Sequence, residues 1–69
     1  MRLSARNVLE GTIKEISHGP TSTRVKLELT GGAIVTSSIT TEAAQELGLK
    51  VGEKAFAVIK ASDVIVATP

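Results

Sequence analysis

Two short stretches of this chain pair a cation with a hydroxyl. Ser4-Ala5-Arg6-Asn7 precedes the first segment of alternating apolar residues, and Lys60-Ala61-Ser62 separates the last two. In an extended chain, residues two apart point the same way, so Ser4 shares a side with Arg6 and Lys60 with Ser62. The small Ala5 and Ala61 let backbone N–H groups come close to a ligand. Several donors and one or two positive charges are what a compact tetrahedral oxyanion requires. Thr40, at the start of a helical segment, offers a further hydroxyl, and the amides around Glu42 and Ala43 offer more donors. Lys60 ends an otherwise apolar run, where a lysine finds a partner or costs stability. The plainer alternative is a frayed polar terminus and a turn with a snorkelling lysine.

Other chemistries find less support. His18 lies in a turn beside Gly19-Pro20, and no Gly-x-Ser-x-Gly elbow supplies a nucleophile for it. Gly31-Gly32 is not followed by Lys-Ser/Thr, so it fits a hairpin better than a phosphate cradle. Glu10, Glu15, Glu28, Glu42, Glu46, Glu53 and Asp63 are scattered on polar positions and form no acid–base pair. No enzyme is expected. With no cysteine and one histidine, neither a metal cation nor a cofactor is expected. The hydroxyls of Thr36, Ser37, Ser38, Thr40 and Thr41 suit strand and helix-start positions, and residues 17–23 form a polar loop.

The elements that must position these groups are short. Turn signals recur at Gly11, Gly19-Pro20, Gly31-Gly32, Gly48 and Gly52. Residues 8–16 form a strand with Leu9, Gly11 and Ile13 on one face. Ile16 breaks that parity, which predicts a bulge or strand end near Lys14 and Glu15. Residues 24–30 alternate most cleanly, Val25, Leu27 and Leu29 against Lys26, Glu28 and Thr30. Gly31-Gly32 then turns the chain into an antiparallel strand over 33–39. The period changes over 40–47: Ile39, Ala43, Ala44 and Leu47 recur at helical spacing, Thr40 caps, Glu42 suits the first turn and Gly48 the end. Residues 54–60 and 64–67 complete five strands. Five strands with one short helix between the third and fourth is the plan of an all-β, OB-like Greek-key barrel.

Composition sets the outer limits. The chain has 69 residues, 42% of them hydrophobic, one domain's worth with a thin margin for a core. Without disulfides or metal, self-association is the expected supplement, and strands apolar on both faces point the same way. A net charge of +1 lacks the basic stripe of a duplex binder, and Phe56 alone is no stacking platform for single strands. Residues 55–59 are far too short an apolar run to span a bilayer, and no secretory leader is visible, so cytoplasm is expected.

The opening, Ser4-Ala5-Arg6-Asn7-Val8-Leu9-Glu10-Gly11, resembles the S-A-R-N-x-L-x-G start of the molybdate-binding Mop domain, the molbindin or TOBE family. Further matches follow in order: Val25-Lys26-Leu27-Glu28-Leu29, Gly31-Gly32, Ser38-Ile39-Thr40, Glu46-Leu47-Gly48-Leu49, Gly52, and residues 58–64 from Val58 through Lys60-Ala61-Ser62 to Val64. The resemblance covers essentially the whole chain, 1–69, as a single domain. It implies a cytoplasmic protein that binds molybdate, and tungstate with it, for storage or homeostasis. It further implies a hexamer built as a trimer of dimers, with strands exchanged between partners. In that family one class of site joins the S-A-R segment of one chain to the lysine segment and helix start of a neighbour. Here these are Ser4, Ala5, Arg6, Thr40, Ala43, Lys60, Ala61 and Ser62, Ala43 serving through its amide where some relatives carry a hydroxyl. A second class near a three-fold axis maps to Ser17, His18, Gly19 and Thr21. The same domain occurs on molybdate-dependent regulators and transporter ATPases, but no helix-turn-helix or P-loop is present. The rival reading is an OB-type nucleic-acid-binding or protein-interaction module.

Overall fold

The structure is a computed structural model describing residues 1–69. Four strands, β1 (Asn7–His18), β2 (Ser22–Leu29), β3 (Ile34–Thr40) and β4 (Lys54–Ile59), form one antiparallel sheet in the order β3-β2-β1-β4. A short helix, α1 (Thr41–Leu47), connects β3 to β4. Three hairpin-connected strands with the fourth returning to lie beside the first is the Greek-key order anticipated from the turn spacing.

Strand β1 is the shared member. Its residues 7–12 pair with β4 and its residues 11–18 with β2, so only Gly11 and Thr12 are paired on both sides. The register shifts between Ile13, opposite Leu27, and Glu15, opposite Lys26, leaving Lys14 as the extra residue. This is the bulge that the broken parity required. It turns Ile16 back to the face that carries Ile13, and it bends the strand. Ile13, Val25 and Leu27 form the buried cluster, with Ile16, Ile39, Leu49 and Ala55 packed around it. The bend curls the sheet until its two edges face each other. A cleft of about 480 Å³ is lined by residues 35–37 of β3, 56–59 of β4 and Leu27 between them.

Local chemistry explains the ends of the elements. Gly31 and Gly32 take φ values of 98° and 97°, a region only glycine occupies cheaply, and the amide of Leu29 closes the hairpin on the Ala33 carbonyl at 2.7 Å. Thr40 caps α1 by accepting the Ala43 amide at 3.0 Å, and Gly48 ends the helix in the left-handed region. Of the expected apolar stripe, Ala44 is buried and Ile39 and Ala43 half-buried, while Leu47 stays 69% exposed. A helix this short cannot lay its last turn on the sheet.

The fifth expected strand, residues 64–67, does not form within one chain. Residues 61–63 instead make a 3-10 turn, and beyond it Ile65 is 93% exposed with no strand beside it. The reason is one of pairing: this segment is β-prone in composition, but a strand needs an edge to pair with. Val8, Phe56 and Val58 are also exposed, so the second apolar face of these strands is not covered within one chain.

Gly11 is fixed by close approach rather than by its dihedrals. A Cβ there would stand 2.9 Å from the Glu28 carbonyl oxygen and 3.2 Å from a Leu29 methyl. We expect Gly11→Ala to lower unfolding free energy by about 1–3 kcal/mol, the usual cost of overpacking, as read from urea unfolding. An unchanged midpoint would mean that β1 and β2 are not held this closely.

Candidate functional site

The two cation–hydroxyl stretches meet in space. Asn7 stands opposite Ile59 at the end of the β1–β4 ladder, and its side-chain amide donates to the Ile59 carbonyl at 3.2 Å. Residues 4–6 therefore arrive, and residues 60–62 leave, at the same end of two adjacent strands, although they lie at opposite ends of the sequence. Arg6 and Lys60 are both exposed there.

Charge pairing separates the lysines on the strands from the other cations. The three lysines on the strands are matched across the sheet, Lys14 with Glu28 at 3.9 Å, Lys26 with Glu15 at 3.8 Å and Lys54 with Glu10 at 3.2 Å. Exposed pairs of this kind contribute little stability, yet they consume the sheet's charge. The other five cations, Arg2, Arg6, Arg24, Lys50 and Lys60, make no ion pair within the chain. Two cations brought to one strand end repel each other, and an anion between them relieves that repulsion.

One detail of the Lys60 segment differs from the extended reading. Residues 61–63 are coiled, the Asp63 amide donating to the Lys60 carbonyl at 2.9 Å and the Val64 amide to that of Ala61 at 3.2 Å. Lys60 and Ser62 are thus not aligned by strand alternation. The turn offers instead what any helical start offers, the leading amides of Ala61 and Ser62.

At the far end of β1 lies a second polar cluster. A pocket of about 230 Å³ is lined by Ser17, His18, Gly19, Ser22, Arg24 and Ser38. Ser17, His18 and Gly19 were expected there. Thr21 is not in its wall, because its carbonyl is turned to accept the Thr41 amide at 2.9 Å. Ser22, Arg24 and Ser38 were missed. Register brings them in: Arg24 faces Ser17 across one ladder and Ser38 across the other, giving a hydroxyl–cation–hydroxyl row over three strands. No carboxylate lines this pocket.

Thr40 and Ala43 also lie at this second end, Thr40 being paired with Ser22. The Ala43 amide is already committed to the Thr40 hydroxyl oxygen, so of the two it is the Thr40 hydroxyl proton that stays free to donate. Strand β1, 12 residues long at about 3.3 Å each, separates Thr40 and Ala43 from Ser4, Ala5, Arg6, Lys60, Ala61 and Ser62. No cavity is lined from both ends. One small oxyanion cannot touch all eight residues of a single copy. No cluster of His, Asp or Glu side chains able to hold a metal ion occurs, and no helix is long and apolar enough to cross a membrane.

A curled Greek-key sheet with one capped helix, carrying cations and hydroxyls at both ends and a carboxylate-free pocket at one of them, defines a small OB-like β domain. Residues 3–66 match the TOBE domain model. The chain is 41% identical over 66 residues to molybdenum-pterin-binding protein 1 of Clostridium pasteurianum, covering 96% of this chain and 97% of that protein. The solved structure of MopII from the same organism superposes with a TM-score of 0.92 at 37% identity, over 97% of this chain and all of that one. The cytoplasmic molybdate-binding protein ModG, solved with molybdate bound, superposes with a TM-score of 0.96 at 55% identity; this chain is fully covered and spans 49% of that one. The chain belongs to the TOBE-domain family, among its Mop, or molbindin, proteins.

The cap generates a stability prediction. Thr40→Ala removes the side-chain cap on the Ala43 amide at the start of α1 and should cost about 1 kcal/mol, measurable as a lower thermal midpoint. A midpoint equal to wild type would show that the cap bond is not formed in solution.

Proposed function

We propose that this chain binds molybdate, and tungstate with it, reversibly and without catalysis, as a cytoplasmic store or buffer. The observation that carries the reading is the pocket around Arg24, a guanidinium without an ion pair set among Ser17, Ser22 and Ser38 with no carboxylate in the wall, while Arg6 and Lys60 come to one strand end. Molybdate is a dianion that only accepts hydrogen bonds, so a pocket of donors suits it. Phosphate near neutral pH carries a proton, and with no carboxylate in the wall only hydroxyl or imidazole lone pairs are there to accept it, so it is the poorer fit. Sulfate has the same charge but is smaller, and donors fixed for the larger ion leave it under-coordinated. The molybdate-bound ModG structure and the names of the Clostridium relatives support the ligand. The relatives named here are binding proteins, and a single aromatic residue offers no stacking bed for a pterin.

The first site is proposed to form between copies. Ser4, Ala5, Arg6, Lys60, Ala61 and Ser62 of one chain would be completed by Thr40 and the start of α1 at Ala43 of a neighbour, since one copy holds these groups too far apart. The second is the pocket around Arg24, with Ser17, His18 and Gly19. Assembly follows from the unfilled apolar surface: the cleft between β3 and β4 and the unpaired segment 64–67 complement each other between two copies. We propose a strand-exchanged dimer, three of which form a hexamer of single-domain chains. Binding at an interface stabilises the assembly by mass action.

Calorimetric titration with molybdate, repeated in excess sulfate, tests the ligand. Heat that survives sulfate, and that falls at least about tenfold in affinity in Arg6→Ala and in Lys60→Ala as charged hydrogen bonds are lost, is the expected result. No heat from wild type, or affinity unchanged in both variants, would refute it. By light scattering the ligand-free protein should elute as an oligomer of about six chains, the supplement a core this small requires; a monomer would refute the interface site.

A further inference from the structure

We infer that Thr41 is a positioning residue that fixes the width of the pocket around Arg24 and so sets its preference for the larger oxyanion. The inference rests on the proposed oxyanion reading of that pocket and adds a residue that lies outside its wall.

Thr41 makes three contacts, two with the loop between β1 and β2 and one with Thr23 at the start of β2. Its hydroxyl donates to the Gly19 carbonyl at 2.7 Å, its amide donates to the Thr21 carbonyl at 2.9 Å, and its hydroxyl oxygen lies 2.8 Å from that of Thr23. The single hydroxyl proton of Thr41 is committed to Gly19, so Thr23 must be the donor in the last bond. Thr23 is completely buried, and a buried hydroxyl without a partner is costly, so this contact holds Thr41 in one rotamer. The gripped loop is short and tight: a Cβ on Gly19 would come within 2.5 Å of the Ser22 carbonyl oxygen.

The consequence is mechanical. His18, Gly19 and Ser22 line the pocket at and beside the loop, and Ser38 lines it from β3, next to Arg24. Thr41 follows directly on β3, so its hydrogen bonds tie the loop to the strand that carries Ser38. The distance across Arg24 is thereby fixed by a part-buried hydrogen-bond chain rather than by the ligand. Size selection between two dianions of the same charge needs such a fixed width, because a pocket free to close would satisfy the smaller one equally well.

The test uses the Lys60→Ala protein, in which binding at the other cluster is weakened by at least about tenfold, and follows the heat that this substitution leaves unchanged. Molybdate and sulfate affinities are compared before and after Thr41→Val, which keeps the shape and removes the hydroxyl, and Thr41→Ser, which restores it. Thr41→Val should weaken molybdate about tenfold, the effect of losing the paired hydroxyl bonds, and weaken sulfate less, so that the preference narrows. Thr41→Ser should recover both. Wild-type affinity and preference in Thr41→Val, or no recovery in Thr41→Ser, overturns the inference. Heat in wild type but none in Lys60→Ala also overturns it, because the pocket is then not a site, while leaving the interface reading standing. A silent wild type refutes the oxyanion reading itself. If Thr41→Val fails to fold by circular dichroism, Thr23→Ala is used. It frees the Thr41 rotamer and should narrow the preference in the same direction; an unchanged preference there overturns the inference.

Discussion

Strand β1 must hydrogen-bond to two neighbours while changing direction between them, and the rest of the molecule follows from that constraint. Its first half belongs to β4 and its second to β2, with a bulge at Lys14 just past the two residues that serve both. A straight strand would give a flat sheet of four with one face bare. The bulge adds twist and bend, and the absent side chain of Gly11 lets the Glu28 carbonyl and Leu29 close in where the curl is tightest. Ile13, inside the bend, then becomes the best-buried large residue of the chain.

The same constraint sorts polar groups to the two ends of the curl. Along the exposed face, cross-strand lysine–glutamate pairs neutralise one another. At one end Arg24 stands in a row with Ser17 and Ser38, and at the other Arg6 and Lys60 flank the Asn7–Ile59 pair. A protein with almost no net charge thus presents local positive sites, which an overall charge of +1 does not reveal. For a doubly charged ligand the local field and the donor set matter more than the total.

A curl that stops short of closing leaves its own signature. The edges of β3 and β4 face each other across an apolar cleft, and the β-prone end of the chain has no strand to pair with. Seven buried residues out of 69 are few for a stable fold. In the proposed assembly one surface does two jobs, burying apolar area and bringing the start of α1 in one copy to Arg6 and Lys60 of another. Ligand affinity and oligomer stability are then two readings of one free energy.

The sequence by itself determined what depends on neighbours a few positions away. The alternation of β2, the positive-φ hairpin at Gly31-Gly32, the Thr40 cap, the Gly48 stop and the bulge after Ile13 are all short-range effects of side-chain period and backbone sterics. The family was legible for the same reason, because its motifs are local strings. Tertiary structure decided what depends on register. Ser17, Arg24 and Ser38 lie far apart in sequence and become one row only when β1, β2 and β3 align; a shift of one residue would turn Arg24 to the other face. The grip of Thr41 on Gly19 and Thr23 is likewise invisible in a run of hydroxyls, since only burial and distance single it out from Thr36 or Ser37. Residues 64–67 mark the boundary between the two kinds of information. Their composition favours a strand, but strand formation requires a partner edge, and a partner is a property of the fold and its assembly rather than of the segment.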